Sequence, residues 1–111
     1  GYSRRVIHMN HRDFSNLWEE TVIKSKNTLV VKGAEYAPGT DRLHNFKQAA
    51  SLMGITPRQA LGGMMVKHIV SVFDLISNEE LGQMPVWDEK IGDSINYLIL
   101  LKALVVEESS T

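Results

Sequence analysis

Glu89, Asp93 and Asn96 open the most apolar helical stretch of the chain, and their spacing puts them on one side of a helix together with Leu100. Two carboxylates and an amide oxygen one turn apart form a donor set suited to a hard divalent ion such as Mg2+. The same groups serve equally well in a network with a Lys or Arg from another helix. Asp88 and Glu89 also sit in a first turn, where negative charge is favoured by the helix dipole. Beside them Ile91, Ile95, Leu98, Leu101 and Val105 make an apolar stripe that is expected to be buried. Polar groups next to a core need a partner or a ligand, so this helix is the first place to look for chemistry.

Other reactive side chains are spread through the chain. Glu19 and Glu20 fall mid-helix, where one can face an interface and the other turns outward towards Lys24. They read either as metal ligands or as solvated helix charges. The segment Gly33-Ala34-Glu35-Tyr36-Ala37-Pro38-Gly39-Thr40-Asp41-Arg42 offers two acids, a phenol, an Arg and a following helix N-terminus. Such a combination can receive a phosphate or close over a ring. It lacks the Gly-Lys-Ser/Thr ending of a P-loop, and Asp41 as a simple helix cap explains it as well. Lys67 can meet a phosphate or a carboxylate. His68, among Met64, Met65, Ile69 and Val72, reads as a hydrogen-bonded core residue or a general base. His8 and His11 are close enough in sequence for a metal role, with a loose terminal segment as the alternative. Trp18, Phe46 and Phe73 read as core, and Trp87 as a lid or interface aromatic.

Four helices are needed to position these groups. Helix A is predicted from Phe14 to Val31, with Asp13 as N-cap and Gly33 as stop. Its stripe is Phe14, Leu17, Trp18, Thr21, Val22, Ser25 and Leu29. Helix B runs from Arg42 to Met53, capped by Thr40 or Asp41, with Leu43, Phe46, Ala50 and Met53 inward and Gly54 ending it. Thr56-Pro57-Arg58-Gln59 spells a capping box with Pro at the first helical position. Helix C then extends to Ile76 through Leu61, Met65, His68, Ile69, Val72 and Phe73, and Gly62-Gly63 permits close helix approach. A connector from Ser77 to Met84 with a short helical turn leads to helix D, from Trp87 or Asp88 to Val106. No strand pattern competes, and the fold expected is all-α, a four-helix bundle-like single domain over 13–106. Residues 1–12 and 107–111 are expected to be flexible ends.

The 111 residues carry 12 Lys and Arg against 13 Asp and Glu, a formal charge of -1, which argues against nonspecific nucleic-acid binding. With 0 Cys there are no disulfides, thiolate sites or Cys nucleophiles. Apolar runs are short, so no bilayer span is expected, and no signal peptide is visible. A soluble cytoplasmic protein is the plain expectation, and the apolar last helix suggests surface that a second copy covers, hence a homo-oligomer.

Taken together, Trp18-Glu19-Glu20, Lys32-Gly33-Ala34-Glu35-Tyr36, Asp41 to Lys47, Lys67-His68 and Glu89 to Leu98 resemble the nucleotide-modification-associated domains of phages and bacteria. These lie near the all-α MazG-like nucleotide pyrophosphatases. The resemblance implies a Mg2+-dependent pyrophosphohydrolase acting on a nucleoside triphosphate, assembled as a dimer or tetramer and found in a bacterial host cell if phage-encoded. It places Glu19, Glu20 and Asp93 at the metal, with Glu89, Asn96, and Glu35 or Asp41 as compensating ligands. Lys47 and Lys67 would contact phosphates, joined by Arg42 of the loop, and Tyr36 or Trp87 would cover the base. Glu19, Asp93 and Lys67 are the catalytic candidates. The sequence departs from the pattern at Ile23 and Lys90, which stand where two further Glu ligands belong. Without catalysis, the chain would be a nucleotide-binding or structural helical protein.

Overall fold

The computed structural model describes residues 7–36, 39 and 41–110. The elements are α1 (His11–Lys26), a π-helical stretch (Asn27–Lys32), α2 (Gly33–Tyr36), α3 (His44–Met53), α4 (Pro57–Ser77) and α5 (Met84–Ser109). The protein is all-α, a single domain of four helices with α2 as a short addition to the first. Among the described residues no strand forms.

Helix ends follow side-chain chemistry, with some shifts from expectation. α1 begins before Asp13: Asn10 is the N-cap, its Oδ1 accepting the Asp13 backbone N–H at 2.8 Å. Asp13 itself is a buried first-turn residue. Gly33 does not stop the first helix. The chain passes through the π-helical stretch and makes one more α turn, with Gly33 itself at helical angles, φ -58° and ψ -34°, and the Arg42 side chain lying against it. A Cβ there would stand 2.8 Å from Arg42 Nε. The Arg42 guanidinium donates to Leu29 O, at 3.3 Å from Nη2, so a carbonyl in the wide π turns gains a donor from the next segment.

Gly54 ends α3 in the left-handed conformation at φ 68°, which favours Gly. α4 starts as its sequence spells: Thr56 Oγ1 accepts from Gln59 N, and Gln59 Oε1 accepts from Thr56 N. Residues 78–83 form no helical turn. α5 starts at Met84, earlier than expected, since Pro85 fits the first helical turn, where no N–H is needed. It continues to Ser109 through residues expected to belong to a loose tail.

The core sits at one end of the molecule. Leu43 and Phe46 of α3, Leu61 of α4 and Leu104 of α5 form it, with Met64, Met65, Tyr97, Leu100 and Leu101 packed around. Leu61 is 0% exposed and Leu104 1%. α5 is therefore turned relative to the expected stripe. Leu104, Leu101, Tyr97 and Ser94 face inward, while Ile91, Leu98 and Val105 are exposed.

Two aromatics assigned to the core also lie outside it, Trp18 at 60% and Phe73 at 62% exposure, as does Met53. Among the described residues, no atom of another element comes within 4 Å of a Cβ built on Gly62 or Gly63, so these glycines serve no close approach to them. α4 is long and apolar enough, by length and composition alone, to cross a membrane, with a window of hydropathy 1.4. This differs from the sequence expectation of no span, which looked only at uninterrupted apolar runs. Here the face bearing Leu61 and Met65 packs on α3 and α5.

Candidate functional site

α1 meets the N-terminal half of α5 loosely and leaves an open groove of about 860 Å3 between them. Leu17, Thr21, Lys24, Ser25 and Thr28 supply the α1 wall, at the spacing of one helix face. From α5 come Met84, Trp87, Asp88, Glu89, Ile91, Asp93, Ile95 and Asn96. The groove is mostly apolar with polar groups at a few fixed points, the usual make-up of a small-molecule site.

Three contacts set those points. The Ser25 hydroxyl donates to Asn96 Oδ1 at 2.7 Å, tying the two walls together. That bond occupies the amide oxygen and leaves Asn96 Nδ2 to donate. Lys24 Nζ lies 3.7 Å from Asp88 Oδ2 across the mouth. Trp87 Nε1 donates to Leu81 O at 2.7 Å, which pins the connector to α5 and fixes the indole at the rim.

Behind the α5 wall, Asp93 Oδ2 lies 3.5 Å from His68 Nδ1, and the imidazole stacks on Tyr97 with ring centroids 4.9 Å apart. His68 is thus the partnered, half-buried histidine that its apolar neighbours suggested.

Of the residues singled out in the sequence, Glu89, Asp93 and Asn96 come together along the groove, with Trp87. The others do not join them. Glu19 and Glu20 are exposed on α1 and line no part of the groove. Glu19, two residues beyond Leu17, is turned to the far side of the helix, and Glu20, beside Leu17 and Thr21, extends into solvent. Lys67 is exposed on α4, with its carbonyl accepting from the Ser71 hydroxyl. Lys47 is held between Asp41 Oδ2, at 2.7 Å, and Glu107 Oε1, at 2.5 Å. Arg42 is folded onto Leu29 O, and Glu35 is exposed on α2. The Tyr36 side chain and Thr40 lie outside what the structure describes, as does the suggestion that Thr40 caps α3. Asp41 does not cap α3, whose N-cap is Leu43 without a side-chain bond; its Oδ1 accepts Leu43 N at 2.9 Å in the turn that precedes the helix.

The Lys47 cluster is electrostatically closed. The hydrogen bond from Lys47, and then that from the Leu43 N–H, hold the Asp41 carboxyl below its ordinary value. Bonds to Asp41 and then to Glu107 raise Lys47 above the usual lysine value. A cation so engaged is a poor phosphate receptor.

The expectation of a Mg2+-dependent nucleotide pyrophosphohydrolase is overturned. Among the described residues, no group of three or more His, Asp or Glu side chains is placed to hold a metal ion. The physical reason is the placement of Glu19 and Glu20, which are exposed and line no part of the groove, whereas Thr21 and Ser25 of α1 and Thr28 of the π-helical stretch line it. Nor do Glu89 and its neighbours on α5 supply a group of three such side chains.

Ser25 and Thr21 are the groove residues whose role the sequence reading missed. Their signal was the i, i+4 placement of hydroxyls within an otherwise apolar stripe. No protein-family model, curated protein or solved structure matches the chain.

Proposed function

We propose that this is a non-catalytic binding protein whose α1–α5 groove takes the base and sugar of a nucleoside or nucleotide. The groove itself carries this reading: a largely apolar trough of about 860 Å3, large enough for a nucleoside, lined by the bonded Ser25–Asn96 pair and by Trp87. Asn96 Nδ2 supplies a donor for a ring nitrogen or carbonyl, and the indole supplies a stacking face. Asp88, Glu89 and Asp93 outnumber Lys24, which already faces Asp88. Phosphates are therefore repelled from the floor and stay outside. The nucleotide class follows from the resemblance of the chain to the nucleotide-modification-associated domains.

Isothermal titration against nucleosides, monophosphates and triphosphates, with and without Mg2+, tests this. Base-dependent binding is expected, weakened at least about tenfold in Asn96→Leu, the scale of one lost hydrogen bond. Nucleosides bind at least as well as triphosphates, and no pyrophosphate is released. Absence of binding across the panel by folded protein would overturn the reading and leave a structural role.

A further inference from the structure

The exposed surface is 8473 Å2, about 2,300 Å2 more than a compact monomer of this mass presents. The radius of gyration is 16.5 Å, against about 13 Å expected for this length. A standard stable interface takes about 800 Å2 from each partner. The surplus is enough for one, and large apolar side chains supply it.

On α1, Phe14, Trp18 and Val22 recur at i, i+4 and i+8, and all three are exposed, Phe14 at 57%. They stand beside the groove-lining positions, so one edge of the helix serves the groove and the next is bare. Glu19 and Lys26 border this bare edge on its outer side, at helical angles about 20° apart.

We infer that the Phe14–Trp18–Val22 face is the isologous interface between two copies of this chain, with the two α1 helices antiparallel about a two-fold axis near Val22. Charge selects this occupant and this direction. Glu19 lies three residues before Val22 and Lys26 four after it, on the same flank. In an antiparallel pair same-side flanks face each other, so Glu19 of each copy meets Lys26 of the other and both pairs close at once. In a parallel pair the equivalent flanks lie on opposite sides of the seam, so Glu19 and Lys26 would not meet. Trp18, one turn from the axis, is the anchor, since aromatics dominate binding energy at such contacts. The flanks carry both signs and no basic rim, which does not suit an anionic lipid surface.

Sedimentation equilibrium of the full chain over low to high micromolar concentrations tests the interface, with circular dichroism as the control for folding. A dimer is expected, and Trp18→Glu raises its dissociation constant at least about 30-fold. Glu19→Lys and Lys26→Glu each weaken it severalfold, and the double swap returns it to within about twofold of the original. Because both charged residues are exposed, these variants read the interface even if Trp18→Glu misfolds. A protein that stays monomeric throughout would overturn the inference. So would a dimer indifferent to Trp18→Glu but broken by Phe73→Glu, which would move the contact to α4. Failure of the double swap to restore association would overturn the antiparallel register. Wild-type binding as a monomer to phosphatidylcholine–phosphatidylglycerol vesicles, lost in Trp18→Glu, would assign the face to lipid.

Discussion

Asp41 shows how a side chain that looks available in sequence is committed in the fold. Its carboxylate accepts from Lys47 and from the Leu43 N–H, and its folded titration point lies below the ordinary 3.8. The ionised form therefore contributes stability above that ordinary value. The contribution is lost as pH falls through the lowered one. Lys47 has the opposite sign: raised above 10.5, its contribution is present below that value and is lost as pH climbs through the raised one. The parent Tm is expected to fall below pH 4, and Asp41→Asn to flatten that fall, measured by thermal denaturation across pH 2 to 6. Equal slopes would mean that solvent screens the Lys47–Asp41 pair. Sequence could name Lys47 as a phosphate contact because it shows charge but not occupancy. Glu107, sixty residues away, is what closes it.

Helix starts and stops were largely legible because capping is local chemistry. The Thr56–Gln59 box and Gly54 stand where their residue types require. Thr56→Ala is expected to cost about 1 kcal/mol of stability by denaturant titration, the ordinary worth of an N-cap. A loss below a few tenths would show that packing of Ala60 and Leu61 alone sets the start of α4.

The first helix was less legible. Its continuation past Gly33 comes with a contact that local sequence does not show, from Arg42 to the Leu29 carbonyl thirteen residues before it. Helix facing was the larger gap. Ile91, Leu98 and Val105 form as good a stripe as Tyr97, Leu101 and Leu104, and α5 has apolar residues around most of its circumference. Periodicity cannot choose between such faces. The choice follows from where α3 and α4 stand, and it also decided that Glu19 and Glu20 do not meet Asp93.

At the scale of the molecule, a tight α3–α4–α5 end contrasts with an α1 that touches α5 only along the groove. If a second copy covers the α1 face, folding and association are linked by mass action. Tm should then rise with protein concentration, with stability growing by about 1.4 kcal/mol of dimer for each tenfold increase. In Trp18→Glu it should be independent of concentration. Calorimetry at a low and a high concentration separates the two, and a parent Tm that does not move would contradict a folding-linked dimer.

From its residues alone, this chain was legible as an all-α domain of four helices, most of their ends marked by caps, Pro and Gly within a few residues of their signals. That information is local, carried by hydrogen bonds and backbone angles over three or four residues. Which faces meet, which charges are already paired, and which acids share a site were settled only by the tertiary arrangement. Those outcomes turn on the rotation of one helix against another. A rotation of roughly 100°, one residue's worth, exchanges a buried Leu104 for an exposed Val105 without changing any local preference.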